Sequence, residues 1–236
     1  MAGERAEITT EDGVADAYRA RPDAAPRGSV LLIMDAYGLR PQIEAMANRI
    51  AERGYVVLAP NVFYRAGPSP VRPGMDFQQI RPLMAELTPE RLAADGAAYL
   101  DHLAAVGSPG PVAITGYCMG GRLGWWIAAA QPARVAALAA FHTGGLVTDD
   151  PDSPHRAAGS VDAELYFGFA DQDRGMTAAH IATFEQALRD AGASYHAEVY
   201  EGARHGYTMA DLEVYDEAAG ERHFGELRAL LERTLG

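Results

Sequence analysis

The sequence feature that most constrains the fold lies at residues 112–130, which read VAITGYCMGGRLGWWIAAA. This stretch predicts a short apolar strand, a glycine-rich turn and a helix. Cys118 lies at the tip of the turn, between Gly116 and the pair Gly120 and Gly121, and it is the only cysteine of the chain. In a sharp strand-to-helix turn, a Cβ at the flanking positions would collide with the neighbouring strand and helix. The glycines therefore predict a strained turn that holds Cys118 at the amino end of a helix, where the helix dipole favours a thiolate.

Strands and helices alternate along the rest of the chain. Apolar runs predict strands at residues 29–34, 55–59 and 135–141, and the same strand–helix pattern repeats with strands at residues 164–169 and 195–200. Helices are predicted at residues 41–53, 76–86, 88–106, 178–191 and 214–235. A weaker alternation around Glu11-Asp12-Gly13 predicts an N-terminal hairpin within residues 1–28. No linker or repeat interrupts the pattern, so we predict a single α/β domain over residues 1–236, with a mostly parallel sheet and helices on both faces.

The composition argues against several classes of partner. The 236 residues include 32 acidic and 20 basic side chains, which give a formal charge of -12. Nucleic-acid binding needs clustered Lys and Arg, so we expect no nucleic-acid partner. No apolar run near the start resembles a signal peptide, and Gln131 and Pro132 interrupt the most apolar later segment, so we expect no membrane partner. A lone thiol suits a reducing compartment, and we predict a cytoplasmic location.

Polar residues follow several of the predicted strands, and in α/β sheets the carboxyl ends of the strands form the site. The loops concerned start at Asp35, Asn61, Cys118, Asp171 and His205. A thiol becomes an effective nucleophile when a histidine takes its proton and a carboxylate orients that histidine. Cys118, His205 and Asp171 supply these three groups. Asp173 lies two residues further along and remains the alternative acid, although we favour Asp171.

The other candidate residues point to no cofactor. No pair of histidines has the spacing of metal ligands, and the glycines around Cys118 match neither a phosphate loop nor a dinucleotide-binding turn. His142 ends a strand, where it either lines the pocket or caps the loop. Trp125 and Trp126 follow Cys118 on the helix, and we expect them to fill the core and the surface rather than to bind a ligand. We therefore expect no cofactor and no metal.

Three motifs carry a resemblance to a known family. Gly116-Tyr117-Cys118-Met119-Gly120-Gly121, Phe169-Ala170-Asp171 and Arg204-His205-Gly206 resemble the dienelactone hydrolase family of α/β hydrolases, from about residue 29 to the end of the chain. The order of nucleophile, acid and histidine is also that of α/β hydrolases. The resemblance implies a single α/β-hydrolase domain that cleaves a small ester or lactone, with Cys118 as nucleophile, His205 as base and Asp171 as acid. It also implies an oxyanion hole formed by the backbone N–H groups of Ala36 and Met119.

Two positions depart from the family pattern. The family has a glutamate in the first loop that contacts and activates the thiol, and this chain has the shorter Asp35 there. The founding members hold the substrate carboxylate with an arginine four residues after the histidine, a position that is Met209 here; a second family arginine corresponds to Arg81. Loss of a charge-assisted contact favours a more neutral ester or lactone over the diacid lactone. The expected substrate-binding residues are Tyr37, Phe63, Tyr64, Arg81, His142 and Tyr207.

Two other functions fit parts of the sequence. A cysteine amidase of the glutamine-amidotransferase fold also places its cysteine on a strand-to-helix turn. In that fold the histidine follows the cysteine closely, whereas 87 residues separate Cys118 from His205. An inactive hydrolase fold that binds a small molecule or a protein would keep the same residues. The sequence does not define the oligomeric state.

Overall fold

Strands and helices alternate along most of the chain. The computed structural model describes residues 3–68, 70–71 and 74–236, and the elements named here lie in those ranges. The strands are β1 (Glu4–Thr10), β2 (Gly13–Ala20), β3 (Gly28–Ile33), β4 (Tyr55–Pro60), β5 (Val112–Tyr117), β6 (Val135–Phe141), β7 (Glu164–Gln172) and β8 (Tyr195–Arg204). The α-helices are α1 (Pro41–Ala51), α2 (Phe77–Ala85), α3 (Pro89–Val106), α4 (Met119–Ala130), α5 (Ala178–Asp190) and α6 (Glu217–Thr234).

The strands form one sheet in the order β1-β2-β4-β3-β5-β6-β7-β8. Strands β3 to β8 are parallel to their neighbours, whereas β1 and β2 form an antiparallel hairpin that joins the edge of β4. Every residue of β3, β4 and β5 is buried, as expected for apolar strands covered on both faces. The predicted α/β architecture is confirmed, and the expected N-terminal hairpin turns at Glu11 and Asp12, where Thr10 pairs with Gly13.

Helices cover both faces of the sheet. Adjacent residues of a strand point to opposite faces, and at the end of β5 an added Cβ on Gly116 would meet α4, whereas the hydroxyl of Tyr117 lies 3.3 Å from Nε2 of His223 on α6. Trp125 of α4 is fully buried, packs edge-on against Phe184 of α5 and donates its indole N–H to a backbone carbonyl. Trp125 is therefore a core residue, as expected.

The turn between β5 and α4 depends on the close approach of backbone segments. Cys118 has φ 55° and ψ -119°, a strained conformation for a residue with a Cβ. An added Cβ on Gly120 would lie 2.5 Å from the carbonyl oxygen of Met34 and closer still to that of Ile33. An added Cβ on Gly121 would collide with the hydroxyl of Thr143. The steric reason for the glycines is thus the one that the sequence predicts.

The predicted ends of β7 and β8 and the predicted start of α6 are wrong, and hydrogen bonds explain each of these three differences. Strands β7 and β8 extend to Gln172 and Arg204 because they pair again after an irregularity beyond Ala170. Helix α6 begins at Glu217 rather than near residue 214, because the side chain of Asp216 caps its first turn. The predicted loop at residues 61–75 contains a 3₁₀ turn (Tyr64–Ala66), and its residues 69, 72 and 73 lie outside the described residues.

We predict that Gly120→Ala destabilises the fold by about 2 kcal/mol or more, because the new Cβ meets backbone carbonyls that cannot rotate away. Equilibrium urea unfolding followed by circular dichroism measures the change. The matched control is Gly225→Ala on α6, where an added Cβ meets nothing within 4 Å. That helix is expected to gain up to about 1 kcal/mol from the substitution. Equal stability of the two variants would contradict the steric account.

Candidate active site

Cys118 stands at the amino end of α4, where the parallel strands end. Its backbone N–H donates to the carbonyl of Phe141 on β6 at 3.0 Å, so the turn is tied to the neighbouring strand. The first N–H groups of a helix have no acceptor within the helix and carry a partial positive charge. The Cys118 sulfur therefore lies in an environment that favours negative charge, and its side chain is partly accessible from the pocket.

His205 connects the thiol to a carboxylate. Its Nε2 lies 2.9 Å from Sγ of Cys118, and its Nδ1 lies 2.6 Å from Oδ2 of Asp173. The other oxygen of Asp173, Oδ1, accepts the backbone N–H of Gly175 at 2.7 Å. The side chain of Asp173 is only 5% exposed, so both of its oxygens are held in place away from water. Sulfur, imidazole and carboxylate thus form one continuous hydrogen-bonded chain.

The choice of Asp171 as the acid is wrong in this structure, which pairs the histidine with Asp173. Asp171 still lies within β7, is exposed, and accepts the backbone N–H of Gly202 at 3.0 Å. Because β7 continues to Gln172, the first acid beyond the strand end is Asp173. The sequence left Asp173 open as the alternative, and the added length of the strand is what decides between the two aspartates.

The protonation of His205 follows from its neighbours. Burial lowers the pKa of His205, but the hydrogen bond to Asp173 and the adjacent Cys118 sulfur raise it more strongly, to about 10. The imidazolium form of His205 is therefore favoured at neutral pH.

A second histidine, His142, lies beside His205. The two rings are 5.3 Å apart and nearly perpendicular, and Nε2 of His142 lies 2.7 Å from the hydroxyl of Thr208. Complete burial, together with the nearby positive charge of His205, holds the pKa of His142 well below its usual range. His142 therefore remains neutral while His205 carries the charge. Its position in the pocket wall agrees with one of the two roles expected from the sequence.

Asp35 is bound to an arginine rather than to the thiol. Arg40 donates to both oxygens of Asp35 at 2.6 and 3.0 Å and also to both oxygens of Asp211. Burial raises the pKa of Asp35, an effect that Arg40 opposes. Within the described residues no hydrogen bond joins Asp35 to Cys118, so the expected contact with the thiol is absent. Asp35 instead accepts the N–H of Tyr37 and thereby braces the loop that contains Ala36.

A pocket of about 680 Å³ opens above Cys118 and His205. Of the expected binding residues, Tyr37 and His142 line it, together with Ala36 and Met119. Four expected residues do not. Phe63 borders a separate cavity, Tyr64 bonds to Thr10 and Asp95, Arg81 is exposed on α2, and Tyr207 is buried against Tyr200 with its hydroxyl on the carbonyl of Gly168.

Several lining residues were not expected from the sequence. The apolar ones are Phe77, Met84, Leu212 and Val214, and the charged ones are Arg122 and Glu213. The helical pattern around residues 76–86 gave no sign that α2 would border the site. Arg122, by contrast, follows Cys118 by four residues, which is about one helical turn, and that spacing could have identified it.

A model of the dienelactone hydrolase family matches residues 15–235. The chain belongs to the dienelactone hydrolase family. A protein of Escherichia coli K12 that is provisionally named a carboxymethylenebutenolidase is 30% identical over 87% of this chain and 77% of its own length. A carboxymethylenebutenolidase of Rhodococcus opacus is 28% identical over 86% of this chain and 79% of its own length.

A crystal structure from Klebsiella pneumoniae, provisionally described as a dienelactone hydrolase, shares the fold. It superimposes with a TM-score of 0.89 and 24% identity over 98% of each chain. These relatives are named as hydrolases, and this chain is an enzyme of the same hydrolase family. In the part of the chain that the structure describes, no helix has the length and apolar character needed to span a bilayer.

We predict that Asp173→Asn lowers the pH at which His205 titrates, because the substitution removes a carboxylate that stabilises the imidazolium. Nitrogen-15 NMR of the imidazole should show wild-type His205 still protonated at about pH 8, well above the usual histidine pKa. The control is Asp171→Asn, which should leave the titration unchanged, since Asp171 has no contact with the ring. If Asp171→Asn produced the shift instead, the assignment of the acid would be reversed.

Proposed function

We propose that the protein hydrolyses carboxylic esters or lactones through a thioester on Cys118. The observation that supports this most strongly is the continuous contact from Sγ of Cys118 through His205 to Asp173, at 2.9 and 2.6 Å. These are the distances at which a base can hold a nucleophile's proton and an acid can orient the base. Cys118 is then the nucleophile, His205 the general base and acid, and Asp173 the group that orients His205.

Acylation begins with attack of the Cys118 thiolate on the ester carbonyl carbon. The carbonyl oxygen becomes an oxyanion, and the backbone N–H groups of Met119 and Ala36 are the proposed donors to it. Both residues line the pocket beside Cys118. Collapse of the intermediate expels the alcohol oxygen, which takes the proton from Nε2 of His205. A donor of this kind is worth roughly 3 kcal/mol in related chemistry.

Deacylation repeats the same steps with water. His205, now neutral, takes a proton from a water molecule, which attacks the thioester carbonyl; the acid leaves and the thiolate and imidazolium are restored. Asp173 offsets the charge that forms on His205 in each half-reaction. The role proposed for Asp35 is positional, because it fixes the loop of Ala36 through Tyr37 and Arg40.

Cys118→Ala is expected to lower kcat/KM for a small activated ester such as 4-nitrophenyl butyrate by at least about 1000-fold, because the nucleophile is lost. Release of nitrophenolate measures turnover, and thermal unfolding checks that the variant folds. Rapid acid quench followed by mass spectrometry of peptides should find the acyl group of the wild-type protein on Cys118. Arg156→Met, an exposed change in a 3₁₀ turn outside the pocket, serves as the control for handling.

Two results would contradict the proposed function. Turnover by Cys118→Ala at the wild-type rate would exclude the thiol as nucleophile. Absence of any acyl adduct and of turnover across a panel of aryl esters and lactones would favour a binding protein over an enzyme of this reaction.

A further inference from the structure

His142 is a buried polar residue that contacts the proposed base, and the proposed reaction gives it no role. It follows β6 with φ 39°, a left-handed conformation that few residues with a Cβ adopt. Its ring is fully buried and lies edge-on to two other rings, with centroid distances of 5.3 Å to His205 and 5.1 Å to Tyr207. A buried polar ring on a strained backbone beside an active site calls for a functional explanation.

A single hydrogen bond orients the His142 ring. Nε2 lies 2.7 Å from the hydroxyl of Thr208, whereas Nδ1 is buried without a hydrogen bond in the part of the chain that the structure describes. Burial and the positive charge of His205 hold the pKa of His142 well below its usual range. The His142 ring is therefore neutral and does not repel the imidazolium beside it.

The same contacts attach the segment that follows His205 to the sheet. The backbone carbonyl of Gly168 on β7 accepts the N–H of His142 at 2.8 Å and the hydroxyl of Tyr207 at 3.1 Å. The next residue, Thr208, bonds to the His142 ring. The chain just beyond His205 is thus held at two consecutive residues, one through Gly168 and one through His142.

His205 has few contacts of its own that fix its ring. Its side chain is 37% exposed, and its two ring nitrogens make one contact each, with Cys118 and with Asp173. The contact with Cys118 weakens during the proposed reaction, because a sulfur that carries an acyl group is a poor hydrogen-bond acceptor. In the thioester, the imidazole therefore depends on Asp173 and on its packing against His142.

We infer that His142, fixed by Thr208, is a positioning residue for His205 and that it acts mainly in deacylation. The inference rests on the proposed thioester at Cys118. In that step the water oxygen bonds to the acyl carbon and the C–S bond breaks. One water proton passes to Nε2 of His205, and the carboxylic acid keeps the other. A displaced imidazole would lengthen the path of the transferred proton and slow this step.

Thr208→Val tests the inference, because it removes the hydroxyl, nearly preserves the side-chain shape and leaves the strained residue untouched. With a 4-nitrophenyl ester, the initial burst of nitrophenolate reports acylation and counts the active enzyme, and the steady state reports deacylation. We expect kcat per active site to fall about 10-fold and KM to fall by a similar factor, while kcat/KM stays within about twofold of wild type. The burst should approach one product per active site.

Matched variants separate the hydrogen bond from packing. Thr208→Ser keeps the hydroxyl but loses the methyl group, and it should recover most of the wild-type kcat. Thr183→Val makes the same exchange as Thr208→Val at an exposed position of α5 and should keep wild-type kinetics. His142→Asn suits the left-handed backbone but is too short to take the place of Nε2, so it should repeat the loss seen in Thr208→Val. The double variant should lose no more than either single variant.

A stronger nucleophile gives a second test of the affected step. Hydroxylamine attacks a thioester with less help from a base than water needs. It should therefore raise turnover by a larger factor in Thr208→Val than in the wild-type protein.

Two outcomes would overturn the inference. Thr208→Val could lower kcat/KM as strongly as kcat, with no greater gain from hydroxylamine, as a general loss of structure would. Alternatively, Thr208→Val and His142→Asn could both keep the wild-type kcat per active site. Each outcome leaves the proposed function standing, because that function is tested by the acyl adduct on Cys118 and by loss of turnover in Cys118→Ala.

Discussion

The close approach of α4 to the end of β3 is the constraint on which the site depends. Gly120 lies against the carbonyl groups of Ile33 and Met34, and this contact is possible only without a Cβ. It brings the start of α4 beside the loop that follows β3, so that Met119 and Ala36 border the same space. These are the two residues whose backbone N–H groups we propose as donors to the oxyanion. The strained backbone of Cys118 is tolerated because α4 and the N–H bond to Phe141 both hold the turn.

A buried ion pair holds the loops around this turn together. The attraction between its two charges must offset the free energy needed to remove both from water. Arg40 and Asp35 are each about 4% exposed on their side chains, so neither is solvated, and each depends on the other. Loss of one member of such a pair leaves an uncompensated charge and typically costs about 3–5 kcal/mol. Arg40 also reaches Asp211 in the segment that follows His205. The same guanidinium therefore connects the loop of Ala36 with the segment that carries the histidine.

The sequence predicted the sheet, its hairpin and the elbow because each depends on local patterns: apolar runs, turn residues and glycine. It predicted two members of the hydrogen-bonded chain, Cys118 and His205, but not which aspartate completes it. That choice depends on how far β7 and β8 stay paired, a property of two strands together. Phe63 and Tyr64 follow a strand end, yet Phe63 borders another cavity and Tyr64 bonds to Thr10 of β1. The start of this loop is held at β2, because the side chain of Asn61 donates to Asp16. No local pattern encodes that direction.

The electrostatics of the pocket run against the net charge of the molecule. A protein with a formal charge of -12 repels anions at long range. The pocket nevertheless contains an imidazolium and Arg122, which has no carboxylate partner among the residues that the structure describes, and its acids Asp35 and Asp173 are neutralised by Arg40 and His205. Arg122 lines the same pocket as Cys118 and His205 and is partly withdrawn from solvent. Salt screens a partly desolvated charge less than an exposed one, so the pocket keeps a local positive charge although the molecule as a whole is acidic.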